Sequence, residues 1–267
     1  LLAALQTAEE LRAAQIVAVP SEAEAFQQLR NRSFEVVLTD PASPACRDLA
    51  YLKLLGGTQP GLKIILLLPE AASEDVIAAL QSHIFACFTA PFQTTEVIAL
   101  TARALTVGDW RDGIEVISAS PEWISLRVSC RRLTAARLVQ FITELMQDMP
   151  DADRENLVTA FREILLNAME HGAGFDPEKV VEVSAMRTHD QMMFYFRDPG
   201  PGFRQRALPH AAFSNPPEDP TAHILYRMEQ GLRPGGFGIL MTRQLVDELI
   251  YNESGNEVLL LKWLARP

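Results

Sequence analysis

The stretch DADRENLVTAFREILLNAMEHG, residues 151–172, decides the fold of the C-terminal half. Apolar Leu157, Phe161, Ile164, Leu165 and Ala168 recur at helical spacing, which predicts a helix from Asp151 to His171 with one apolar face. Glu163, Asn167 and His171 stand four residues apart and share the polar side. Each such step advances by roughly 40°, so the three line a stripe about 12 Å long. A carboxylate and an amide one turn apart have complementary uses. The amide oxygen can ligate Mg²⁺ held mainly by phosphates, because that ion takes oxygen ligands and keeps few protein contacts. The carboxylate can accept a proton from an attacking hydroxyl. Taken alone, Glu-x-x-x-Asn reads first as a solvated helix face, and only its context favours a site. His171, next to Gly172, reads either as part of a site or as a cation answering the helix dipole.

The segments beyond this helix give the pair a context. Strands are expected at about Val180–Arg187 and Met192–Arg197, joined by a turn at Thr188-His189-Asp190, and the second strand runs into DPGPG, residues 198–202. A carboxylate fixed at a strand end, followed by two glycines that let backbone approach a flat ring, suits hydrogen bonding to an adenine amino group. An ordinary turn has the same spelling. Further on, RPGGFG at residues 233–238 leads into a helical stretch from Ile239 to Glu248. Glycines ahead of a helix offer N–H groups to phosphate oxygens, although helix-leading glycines are common without that role.

The three segments in this order resemble the GHKL, or Bergerat, ATP-binding fold of gyrase, heat-shock protein 90, histidine kinases and MutL. From about Ile114 to Leu264, including the ending LVDELIYNESGNEVLLLKWL, the chain resembles more narrowly the anti-sigma factor serine kinases of bacterial partner-switching pathways. The resemblance implies ATP and Mg²⁺ as cofactors, with Glu163 as catalytic base and Asn167 as the metal ligand. It implies that Asp198 reads adenine beside Gly200 and Gly202, and that Gly235, Gly236 and Gly238 lie at the phosphates. Arg233 is the nearest match to a family arginine, one residue further from the glycines than the pattern has it. The segment between Gly202 and Gly235 corresponds to the ATP lid; it is long and carries Pro209, Pro216, Pro217 and Pro220. Two functions are implied. One is an ATP-binding signalling protein, a serine/threonine kinase that phosphorylates an antagonist protein. The alternative is a noncatalytic, ATP-dependent binding module for a sigma factor or antagonist. A self-phosphorylating histidine kinase fits less well, since none of His83, His171, His189, His210 and His223 sits on a helical hairpin ahead of this region.

Residues 1–105 read differently. Helical stretches alternate with strand-like ones at Ile16–Val19, Val36–Thr39, Ile64–Leu68 and Phe85–Phe88, which predicts a parallel sheet with helices on both faces. FEVVLTDPASP, KIILLLP and CFTAPF resemble the flavodoxin-like receiver domain of response regulators. Asp40 stands at the family's phosphoacceptor position as a vestigial acceptor. Leu68 replaces the usual hydroxyl residue and Ala90 the usual lysine, and the first strand with its acidic residues is expected ahead of Leu1. Phosphotransfer to an aspartate needs a metal and a cation against the developing charge. A degenerate receiver serving docking or dimerisation is therefore expected, and with it a homodimer.

Composition is compatible with both halves. At 267 residues and 48% hydrophobic the chain can bury two cores, with a boundary at residues 106–113 (TVGDWRDG) and the ATPase-like α/β sandwich over 114–267. A net charge of −10 without a basic cluster argues against nucleic acid as a partner. Cys46, Cys87 and Cys130 show no Cys-x-x-Cys spacing, which fits a reducing cytoplasm. Apolar runs as long as any in the chain, such as Ile64–Leu68, are too short to span a membrane.

Overall fold

A computed structural model describes residues 1–43, 48–59, 61–70, 72–108, 110, 113–202, 229 and 238–264. The chain divides into two compact units, Leu1–Asp112 and Gly113–Pro267.

In the first unit, β1 (Val36–Leu38), β2 (Lys63–Leu68) and β3 (Ala86–Thr89) form a parallel sheet in that order. Helices α1 (Leu2–Thr7), α2 (Glu22–Asn31), α3 (Leu49–Thr58), α4 (Ser73–Gln81) and α5 (Thr94–Thr106) alternate with the strands. Every residue of β2 and β3 is buried, so this sheet is covered on both faces, as parallel strands require. The expected strand at Ile16–Val19 is not formed. Among the described residues that segment has no ladder partner and no regular structure, and β propensity without a neighbouring strand leaves a loop.

The second unit is a two-layer sandwich. Its six strands are β4 (Ile114–Ser120), β5 (Trp123–Ser129), β6 (Val180–Arg187), β7 (Gln191–Arg197), β8 (Glu248–Tyr251) and β9 (Glu257–Trp263), in the order β4-β5-β6-β7-β9-β8. All neighbours are antiparallel, and β4 is an addition to the strands expected from the sequence. Three of the five pairings join consecutive strands through short turns, a connection that only antiparallel strands permit.

Alternation along β5, β6 and β7 buries one face of this sheet. Ile124, Leu126, Val128, Val181, Val183, Phe194 and Phe196 point inward, and Leu260 of β9 joins them. Against that face lie α6 (Arg132–Leu145) and α7 (Asp151–Asn167), with α8 (Gly238–Leu245) packed on α7. The helix expected to reach Glu248 ends at Leu245, because Glu248 already pairs with Leu261 as the first residue of β8. Arg187 at the end of β6 makes a paired contact with Asp148 (2.8 Å at both oxygens), tying the α6–α7 loop to the sheet. Among the described residues no helix is long and apolar enough to cross a membrane.

Candidate nucleotide site

The rotation of α7 is set by one aromatic wedge. Phe161, fully buried, sits between Phe194 and Phe196 of β7, with ring centroids 4.9 and 5.0 Å away. Edge and tilted contacts of this kind are the favoured aromatic geometries. With Phe161 facing the sheet, Glu163 and Asn167 turn toward α8 and are half-buried there. Opposite them lies Gly238, the first residue of α8. A Cβ at Gly238 would fall 2.7 Å from Glu163 Oε2 and 3.6 Å from Asn167 Nδ2. The absence of a side chain is therefore what lets the start of α8 approach the carboxylate and amide. Two parts of the chain some seventy residues apart, the EILLN stretch of α7 and Gly238, converge at this point.

Beyond Asn167 the helix does not continue as a regular α-helix to His171. Residues Ala168–Gly172 form a π turn, with Ala173 N–H donating to the Ala168 carbonyl at 3.1 Å. Such wide turns recur at functional sites. Here His171 is exposed, while Gly172 is delivered against Asp198. A Cβ on Gly172 would overlap the Asp198 carboxylate, and one on Gly200 would lie 2.6 Å from the Gly172 carbonyl oxygen and 2.8 Å from Asp198 Oδ1. Gly172, Asp198 and Gly200 thus interlock. Gly172 was not among the site residues read from the sequence; the Gly after His171 was the only signal for it.

Asp198 follows β7 directly and is held from two sides. Its N–H donates to the Asn256 carbonyl at 3.0 Å, and its Oδ1 accepts the Gly200 N–H at 2.8 Å. Its other carboxylate oxygen accepts no hydrogen bond among the described residues. Burial raises its carboxyl above the usual aspartate range, opposed by the Gly200 hydrogen bond. Gly202 has φ +75° and packs against the Ser254 carbonyl, where a Cβ would overlap that oxygen. Nearby, Cys130 is buried, and burial together with the negative charges of Asp176 and Asp198 pushes its thiol up to about 11, against the pull of Lys179. A thiol held that high stays protonated at neutral pH, the form that is the poor nucleophile.

Arg233, Gly235 and Gly236 and nearly all of the expected lid lie outside the described residues. Of the glycines expected at the phosphates, Gly238 is the one whose surroundings are defined. Among the described residues no cluster of His, Cys, Asp and Glu has the makings of a metal centre. A Mg²⁺ held by one amide oxygen and by phosphates needs no such cluster, and Asn167, half-buried beside Gly238, has an amide oxygen suited to that role. In the first unit, Asp40 follows β1, is exposed, and accepts the Ala42 N–H at 2.9 Å. Leu68 ends β2 fully buried, and Ala90, joined to Pro91 by a cis peptide bond, follows β3. Neither supplies a hydroxyl or a cation at the sheet end where Asp40 stands.

A strand-borne aspartate followed by glycines, a helix carrying Glu and Asn, and a glycine that opens the next helix onto both describe a nucleotide-binding α/β sandwich. Residues 128–262, half of the chain, match the histidine kinase-like ATPase domain, and the chain belongs to that family. No curated protein sequence matches the chain.

Proposed function

We propose that the C-terminal unit binds ATP with Mg²⁺ and transfers its γ-phosphoryl group to a serine or threonine hydroxyl of an antagonist protein, as an anti-sigma type kinase. The observation that carries this reading is the convergence of Glu163 and Asn167 on Gly238, with Asp198 held at the far end of the π turn. In this reading Asp198 accepts from the adenine amino group through the oxygen that Gly200 leaves unoccupied. Asn167 contributes one amide oxygen to Mg²⁺, which supplies charge neutralisation at the phosphates. Glu163 accepts the proton of the attacking hydroxyl. The hydroxyl oxygen bonds to the γ-phosphorus, the bond to the β–γ bridging oxygen breaks, and ADP leaves. The buried, protonated thiol of Cys130 and the exposed His171 have no part in this step.

The N-terminal unit is proposed to be a degenerate receiver that works through constitutive contact, with a second copy of the chain or with a sigma factor or antagonist. The test of the kinase is incubation with labelled ATP and candidate antagonist proteins. Glu163→Ala is expected to keep ATP binding and lose transfer, because a base acts on the hydroxyl and not on adenine. An unchanged transfer rate removes Glu163 as base. ATP binding without transfer to any candidate, in the unaltered protein, favours the noncatalytic binding module.

A further inference from the structure

The turn between β8 and β9, residues 252–256, touches the DPGPG loop at both of its ends. At one end the Asn256 carbonyl accepts the Asp198 N–H at 3.0 Å. At the other, Gly202 packs against the Ser254 carbonyl, and a Cβ on Gly202 would also come within 3.1 Å of the Asn256 nitrogen. The loop that carries the adenine-side groups is therefore seated on this turn and not only on its own strand.

One side chain braces the turn alongside two backbone bonds, Asn252 N–H to the Glu257 carbonyl at 3.0 Å and Gly255 N–H to the Asn252 carbonyl at 3.2 Å. Asn252 Oδ1 accepts three backbone N–H groups, from Gly255 at 2.7 Å, Asn256 at 3.1 Å and Glu257 at 3.2 Å. Its Nδ2 donates to Asn256 Oδ1 at 3.0 Å, so the residue that receives the Asp198 N–H is gripped through both backbone and side chain. Gly255, buried and at φ +77°, gives the turn its sharp reversal. An asparagine is well matched to this task, since a single planar amide offers an oxygen with two lone pairs and a pair of donors.

We infer that Asn252 is a positioning residue for the adenine end of the nucleotide site, acting through the Asn256 backbone on Asp198 and through Ser254 on Gly202. The inference rests on the reading of Asp198 as the adenine acceptor. It assigns to a turn outside the three motif segments the task of fixing where the Asp198 carboxylate points. Glu253 and Ser254 at its tip are exposed, so the turn reaches both solvent and the adenine loop.

The test pairs a protein change with a ligand change. Binding of ATP and of purine riboside triphosphate, which lacks the 6-amino group, is measured calorimetrically for the unaltered chain, Asn252→Ala, Asn252→Asp and Asp198→Asn. If Asn252 works through Asp198, Asn252→Ala weakens ATP about fivefold or more, the scale of a lost neutral hydrogen bond or two, and weakens the purine analogue much less. The ATP preference then shrinks. Asn252→Asp keeps an acceptor for the three N–H groups, loses the donor to Asn256 and adds a negative charge at the turn, so its preference for ATP should also fall below that of the unaltered chain. It also carries the comparison if Asn252→Ala does not fold. Equal weakening of both ligands, or a preference in Asn252→Asp equal to that of the unaltered chain, overturns the inference and leaves Asn252 a stabiliser of the turn. Absence of ATP binding to the unaltered chain, or an Asp198→Asn protein that prefers ATP as strongly as before, instead overturns the adenine reading itself.

Discussion

Burial raises the Asp198 carboxyl, and that shift has a consequence for pH. A carboxyl whose folded-state value lies above its unfolded value of 3.8 binds its proton earlier on acidification, so its ionised form is lost sooner than in an ordinary aspartate. Fold stability from this group moves the other way, rising as pH falls through the same window, because the native state then holds the extra proton. With Asp198 as the proposed adenine acceptor, recognition needs its ionised form, so ATP affinity should begin to fall above the ordinary aspartate range. Asp198→Asn should be weak at every pH and lack that inflection. Calorimetric titrations from neutral pH downward decide it, and a pH profile shared by the two proteins removes Asp198 as the adenine acceptor. The neighbouring Gly172 makes a steric demand of its own. Gly172→Ala places a methyl group on the Asp198 carboxylate, and overpacking of this kind costs about 1–3 kcal/mol. ATP affinity is expected to drop, by about 5- to 160-fold where that cost falls on binding, with Glu163 and Asn167 undisturbed; unaltered affinity would show that the carboxylate can move without loss.

At the scale of elements, the helix from Asp151 was legible because its apolar spacing is strict, and the Glu163–Asn167 pair with it. Its last turn was not. Nothing in AMEHG spells a π turn, which arises from where Gly172 has to arrive beside Asp198. Strand β4 escaped a reading by alternation since it is a sheet edge, with Ile114 its one buried residue. Edge strands need little apolar patterning. Ile16–Val19 shows the converse, a strand-like composition without a partner. Asn252 was hidden for a different reason: a turn asparagine looks alike whether or not another loop leans on its turn. The same scale carries a stability prediction. Phe161 joins α7 to β7 through two ring contacts, and Phe161→Ala should cost about 3–5 kcal/mol, as for other buried phenylalanines. Chemical denaturation of the second unit would register it. A loss under about 1 kcal/mol, the scale of a well-tolerated core swap, would mean that α7 is held by its other contacts.

For the molecule as a whole, two units in one chain raise the matter of whether the first is a phosphorylation switch for the second. Asp40 stands beyond the end of a parallel strand, exposed, as an acceptor must be. Two positions that complete such a site in an active receiver do not supply their part here. Leu68 at the end of β2 is fully buried and has no hydroxyl, and Ala90 after β3 has no charge to set against a phosphoryl group leaving its donor. One carboxylate oxygen is already engaged by the Ala42 N–H. Electrostatic stabilisation is commonly the largest part of such a transfer, and one missing donor or cation costs about 10²–10³ in rate. Acetyl phosphate with Mg²⁺ is therefore expected to leave the mass of the full chain unchanged under conditions that label an intact receiver. A stoichiometric phosphoryl adduct, lost in Asp40→Asn and accompanied by a change in oligomeric state, would overturn the degenerate-receiver reading and make the first unit a switch for the ATP-binding one.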